Sequence, residues 1–246
     1  MNAGGPEVRS LLAPNPGPFT LGGTRSYIVG ERRVAIIDPG PRLESHLRGL
    51  AAAVESAESV VVLVTHGHGD HAAGAAELGR RVGGAVWGPG EERDLEDGQT
   101  FATDAGDVVA VSTPGHSRQH FCFHVPGRGA VFTGDMVLGE GDTTWVGEYP
   151  GGVAEYLASL DRLEALDSRI LYPGHGKPLR DPAAAIARFR RHRLKRIDQV
   201  RRAVAATGTT DVRALTRHVY GDLPPATFDM AASGVVAILD YLSGSG

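Results

Sequence analysis

The chain has 246 residues and a formal net charge of −4. That length can bury a core for one large domain with room for an appendage, and ordinary apolar content excludes a disordered chain. The charge argues against a surface given over wholly to nucleic acid, although a local basic patch remains compatible with it. A lone cysteine, Cys122, excludes a disulfide within the chain. Residues 1–18 lack the basic and apolar regions of a secretion signal, and no run is long enough to span a bilayer, so a cytoplasmic, membrane-free protein is expected.

Strand patterns cover residues 19–21 and 25–29; Gly30-Glu31 then turns the chain into 34–37, which ends at Asp38-Pro39-Gly40. Leu43, Leu47, Leu50 and Val54 share one helical face, and the apolar run 60–64 reads as a buried strand. It delivers Thr65-His66-Gly67-His68-Gly69-Asp70-His71. A helix over 72–82 and a short strand at 85–87 follow, then an acidic irregular stretch, 89–98. The strand at 107–112 runs into Thr113-Pro114-Gly115-His116-Ser117, and strands 121–125 and 130–132 lead to Thr133-Gly134-Asp135. A glycine-rich loop, 138–150, carries Trp145 and Tyr149.

Val153, Leu157, Leu160, Leu163 and Leu166 then mark a helix, and strand 170–172 ends in Pro173-Gly174-His175-Gly176. Asp181-Pro182 has the form of a helix start. The long helix beyond it has an apolar stripe of Ile186, Phe189, Leu194, Ile197, Val200 and Val204. Its other face carries Arg188, Arg190, Arg191, Arg193, Lys195, Arg196, Arg201 and Arg202, expected to be largely solvated. Helices at about 211–219 and 225–242 complete a small helical tail. The expected division is a catalytic domain over residues 1–205 and an appendage over 206–246.

His66, His68, Asp70, His71, His116, Asp135 and His175 each follow a strand-like run beside a glycine or another small residue. Imidazole and carboxylate are metal-ligand types, and seven of them suit two metals. Two divalent cations would also offset the cost of burying Asp70 and Asp135.

Asp38 in Ile-Ile-Asp-Pro-Gly, the His-x-His-x-Asp-His block, His116, Asp135 and His175 resemble, in order and spacing, the metallo-β-lactamase-fold superfamily. The resemblance implies an α/β fold, a four-layer αββα sandwich, with the small C-terminal appendage helical and winged-helix-like. It places one metal on His66, His68 and His116 and the other on Asp70, His71 and His175, with Asp135 bridging. Asp38 would orient the ligand loop, and Ser117 and His120 would support the ligands. Two Zn2+ are the expected cofactors, with one or two Fe or Mn as alternatives.

Coordination can lower the pKa of water from 15.7 to about 7, roughly 12 kcal/mol in favour of hydroxide. The expected nucleophile is therefore a metal-bridging hydroxide, with Asp70 as the catalytic residue that orients it. The loop from Gly134 to Tyr149, together with Tyr172-Pro173-Gly174-His175-Gly176, is similar to the beta-lactamase-like protein 2 and glyoxalase II-like groups. That similarity implies hydrolysis of an acyl ester or thioester. A single-stranded RNA endonuclease and a mononuclear-iron persulfide dioxygenase are the alternatives. Gly67 and Gly69 stand where that group carries bulkier residues, which implies a wider site mouth. Trp145, Tyr149 and Lys177 neighbour the site loops and are candidate substrate contacts. The expected partner is a small molecule or an acyl-carrier substrate; nucleic acid is not favoured, and a homodimer is compatible with the sequence.

Overall fold

A computed structural model describes residues 8–244. The first sheet runs in the order β1 (Arg9–Leu12), β2 (Arg25–Val29), β3 (Arg33–Ile37), β4 (Ser59–Leu63) and β5 (Ala85–Trp87). β1 to β3 pair antiparallel, and β3, β4 and β5 pair parallel. The second sheet has the order β10 (Ile170–Pro173), β9 (Ala130–Gly134), β8 (Phe121–Val125), β7 (Val108–Ser112) and β6 (Thr100–Phe101), with only β9 and β10 parallel.

Three apolar clusters make the layers. Between the sheets, Tyr27, Ile37, Leu63, Phe123 and Phe132 interdigitate. Outside the first sheet, α1 (Glu44–Ala53) and α3 (Ala75–Val82) cover Ile28, Ile36, Val62 and Val64 with Leu47, Leu50 and Leu78. Outside the second, α4 (Gly152–Ala165) and α5 (Pro182–Thr207) cover Cys122, Val131 and Leu171. This is the αββα sandwich. Strands β3, β4, β9 and β10 end at one edge, where an α/β sheet builds its sites.

α6 (Val212–Tyr220) and α7 (Pro225–Gly244) form the C-terminal appendage, and no strand occurs in residues 206–244. Its Leu215, Val235 and Ile238 join the same core cluster as Val137, Val146, Phe189 and Val200. Folding the appendage onto α5 buries about 2 kcal/mol per large aliphatic side chain by area.

Four local expectations are corrected. Residues 19–21 are not a strand: Leu21 has φ 54° and bridges back to Gly17, while Phe19 is 59% exposed. The edge strand is instead β1. The helix expected over 72–82 is broken between α2 (Gly69–Ala72) and α3. On α5, Leu194 is 47% exposed and Arg193 is 6% exposed, the reverse of the sequence pattern. Arg193 goes inward because its guanidinium donates to Thr144 O (2.8 Å) and lies over the Tyr156 ring (5.4 Å). Among the described residues no helix is long and apolar enough to cross a membrane.

Candidate metal centre

The loop after β4 turns within a few residues. His71 N and Ala72 N both donate to His68 O (2.9 Å each), winding Asp70 and His71 into α2 under the strand end. Asp38, at the end of β3, holds that loop from beneath. Its buried carboxylate accepts from Thr65 N (2.8 Å), Thr65 Oγ1 (2.9 Å) and His71 Nδ1 (2.8 Å). Asp38 takes φ 52°, a left-handed conformation that aspartate tolerates better than most residues.

The outer hydrogen bonds decide which ring nitrogen faces inward. The single Thr65 hydroxyl proton is committed to Asp38, so Oγ1 accepts from His66 Nδ1 (3.0 Å). His116 Nδ1 donates to Trp145 O (2.9 Å), and His175 Nδ1 donates to Gly23 O (3.3 Å). His71 Nδ1 is held by Asp38. All four rings therefore direct Nε2 into the same space, the arrangement that fixes histidines as metal ligands.

Two donor groups result. His68 Nδ1 lies 2.9 Å from His66 Nε2 and 3.1 Å from His116 Nε2. His175 Nε2 lies 3.2 Å from His71 Nε2 and 3.1 Å from Asp70 Oδ2. Asp135 stands between them: Oδ1 is 3.4 Å from both His71 Nε2 and His175 Nε2, and Oδ2 is 3.7 Å from His116 Nε2. In each of three sets the donor atoms lie within 4.8 Å of one another: His66, His68 and His116; His66, His71 and Asp135; Asp70, His71 and His175.

Asp135 Oδ1 is buried with no hydrogen-bond partner. An orphaned carboxylate oxygen facing converged imidazole nitrogens fits a cation, and mixed nitrogen and oxygen donors suit zinc, iron or manganese.

The protonation pattern agrees. Burial keeps His66 and His120 neutral and pushes His116 down to about 4. Burial opposes charge on His71 and His175 as well, but it is outweighed. Asp135 and Asp38 raise His71 well above its usual range, and the nearby carboxylates of Asp135 and Asp70 bring His175 up to about 9. Against the opposing effect of burial, the same contacts with His71 and His175 hold Asp135 well below the usual carboxylate range.

The donors sit at the base of a cavity of about 680 Å³ whose wall includes Leu21, Leu138, Trp145, Val146, Leu223 and Met230. Its far wall comes from the appendage. Trp145 Nε1 donates to Ser233 Oγ (3.1 Å), tying the loop to α7.

The family model described as the metallo-beta-lactamase superfamily matches residues 19–96 and 83–175. An atrochrysone carboxyl ACP thioesterase from Aspergillus chevalieri is 36% identical over 89% of this chain and 75% of its own length. A beta-lactamase-like protein 2 homolog from Caenorhabditis elegans is 29% identical over 97% of this chain and 85% of its own. The crystal structure of a beta-lactamase domain protein from Burkholderia ambifaria superposes with TM-score 0.82 at 24% identity, over 98% of this chain and 87% of that one. The chain belongs to the metallo-beta-lactamase superfamily. It is a metal-dependent hydrolase with that superfamily's fold.

Within this superfamily frame, all seven candidate ligands meet at one point, with Asp38 directly behind them. His120 lies alongside: its ring stacks on His66 (centroids 5.0 Å apart), and its Nε2 accepts from Asp135 N (3.3 Å). Ser117 shapes its own loop, since its Oγ donates to Gln119 O (2.8 Å) rather than to a candidate ligand. Of the three candidate substrate contacts only Trp145 lines the cavity. Tyr149 is turned away, buried, with its hydroxyl on Glu155 and Arg118 over its ring; Lys177 is exposed, with its backbone packed near Gly139.

A Cβ at Gly69 would meet nothing within 4 Å, and one at Gly67 only Pro89 O at 3.7 Å, so the loop is open at both positions. Sequence reasoning missed Thr65, whose position before the first histidine was the available signal, and the α7 wall around Met230, which carries no local signal.

Two expected outcomes follow from this packing. A Cβ at Gly174 would lie 2.5 Å from His71 Cε1 and 3.0 Å from Asp135 Oδ1. Gly174→Ala is expected to lower metal content and cut activity tenfold or more, while costing ~1–3 kcal/mol of stability from overpacking; metal analysis and thermal unfolding check both. Binding zinc at pH 7 requires neutral His71 and His175, which hold protons in the metal-free protein because their pKa values are raised, that of His175 to about 9. Zinc addition in weak buffer should therefore release protons, and apparent affinity should rise from pH 6 toward pH 9. A calorimetric enthalpy independent of buffer ionisation heat would contradict this.

Proposed function

We propose that this hydrolase cleaves acyl thioesters at a two-zinc centre. His66, His68 and His116 would hold one ion, Asp70, His71 and His175 the other, and Asp135 would lie between both. The observation that carries the reading is the convergence of these donors, with an unpartnered buried carboxylate oxygen, at the floor of a largely apolar cavity. The 36% identity to a protein named as an ACP thioesterase supports the acyl thioester as substrate.

When bound, the two ions supply an acidified water and a Lewis acid for the acyl oxygen. The chain's own residues do the rest. Asp70, whose side chain is 29% exposed while the histidines of its group are buried, accepts a hydrogen bond from the attacking water and orients it. Asp38 keeps His71 in the tautomer with Nε2 facing inward, and Thr65 and Trp145 O do the same for His66 and His116. Trp145, Leu138, Val146 and Met230 enclose the acyl group and exclude water from it. A thiol has a pKa near ~8.5, so a thiolate departs near neutral pH without a dedicated acid.

Zinc-loaded protein incubated with a panel of acyl pantetheine thioesters, read by thiol release, tests the reading. Release that is lost with chelator and restored by zinc is expected. Failure with every thioester, alongside metal-dependent cleavage of labelled single-stranded RNA or oxygen consumption with a persulfide, would overturn it.

A further inference from the structure

The second cavity of note lies beside the first. Arg188, Arg191, His192, Lys195 and Arg196 fall on one face of α5 and, with Asp142 and Gln199, line a cleft of about 420 Å³. His192 and Arg196 line both this cleft and the cavity above the metal centre, so the two spaces adjoin.

Its charges are unbalanced. Among the described residues, Arg188, Arg191, Lys195 and Arg196 have no ion pair, and the cleft's one carboxylate, Asp142, is taken by His192 Nδ1 (3.1 Å). Elsewhere on α5, Arg190 pairs with Asp161 and Glu164, Arg201 and Arg202 share Asp198, and the buried Arg193 donates to Thr144 O. Arg188 Nε and Gln199 Oε1 are buried without a hydrogen-bond partner. Arg196, which lines both spaces, lies over Tyr220 with its guanidinium carbon 4.3 Å from the ring centroid.

We infer that this cleft is the binding site for the phosphate of a phosphopantetheine arm whose thioester reaches the neighbouring metal centre. The inference rests on the thioesterase reading for the direction of the arm; the phosphate site can be measured independently of it. Four cations between Arg188 and Arg196 span roughly 12 Å of helix, room for one or two phosphates rather than a track of them. Arginine forks suit a phosphate, and an apolar cavity next door suits a neutral arm ending in an acyl group. Together these favour one anionic head and one apolar tail over a polynucleotide.

The test titrates zinc-loaded protein with 4′-phosphopantetheine and with pantetheine, in wild type and in an Arg191→Gln/Lys195→Gln variant whose changes are at exposed positions. The phosphorylated arm is expected to bind wild type roughly tenfold more tightly or better, and the double variant to lose most of that gain. Hexanoyl thioesters of both arms should show the same difference in KM with kcat little changed. Equal affinity for the two arms, or a gain that survives the double substitution, overturns the site. Single-stranded RNA binding that depends on Arg191 and Lys195, with no gain from the pantetheine phosphate, overturns it in favour of nucleic acid. A phosphate gain without thiol release from either arm upholds the site and overturns the hydrolytic reading. Hexanoyl-coenzyme A and hexanoyl carrier protein then separate the two sources of the arm, and a lower KM for either upholds the site.

Discussion

Asp135→Ala is expected to lower thiol release by roughly a thousandfold, about 4 kcal/mol of transition-state stabilisation. Among the described residues, Asp135 is the only carboxylate whose two oxygens face both histidine groups, 3.4 Å from His71 and His175 and 3.7 Å from His116. Its loss should be seen first in metal content, by mass spectrometry of the purified variant, and then in kcat/KM. Asp135→Asn separates charge from shape. It preserves the side-chain volume but removes the negative charge that His71 and His175 oppose, so a large loss is expected there too. Near-normal turnover by either variant at full metal occupancy would remove Asp135 from the centre.

The second large effect is expected at Asp38, which touches no substrate and acts through the loop. Asp38→Asn keeps a residue that tolerates the left-handed φ of 52°, so backbone strain is not the variable. What changes is the hydrogen bonding. An amide in place of the carboxylate cannot accept at both oxygens from Thr65 N, Thr65 Oγ1 and His71 Nδ1, and one of these buried donors loses its partner. Residues of this kind typically cost 10–100-fold in metal affinity or activity. An unpaired buried donor costs about 1–3 kcal/mol of stability. Zinc dissociation and urea unfolding measure the two separately. A stability loss with unchanged zinc affinity would mean that Asp38 braces the fold without holding His71 in place.

Most of the site could be read from sequence because its parts are local. Each candidate ligand follows a strand, and a buried strand ending in a polar residue beside glycine is visible within a few positions, as at residues 60–71. Convergence of the loops follows from the parallel pairing of β3 with β4 and of β9 with β10. The features that were not legible depend on distant chain. β1 is short and largely exposed, and it pairs with β2 across an irregular intervening segment, Leu12 with Arg25 and Arg9 with Ile28. Arg193 and Leu194 exchange places because Thr144 O and the Tyr156 ring receive the guanidinium, and no helical periodicity encodes that.

Trp145 could be found as a neighbour of the site loops. Met230 and Leu223 could not, because they reach the cavity only when the appendage folds back over α5. The same folding places Tyr220 under Arg196 and gives the basic helix face a structure that a solvated stripe would not have.

The central claim is a two-ion centre that hydrolyses thioesters, and a zinc titration of metal-free protein with activity read at each step tests it most directly. Thiol release that rises with added zinc and reaches its plateau at two ions per chain is the predicted result. Full thioester turnover by metal-free protein, or saturation at one bound iron with no thiol release, would contradict it.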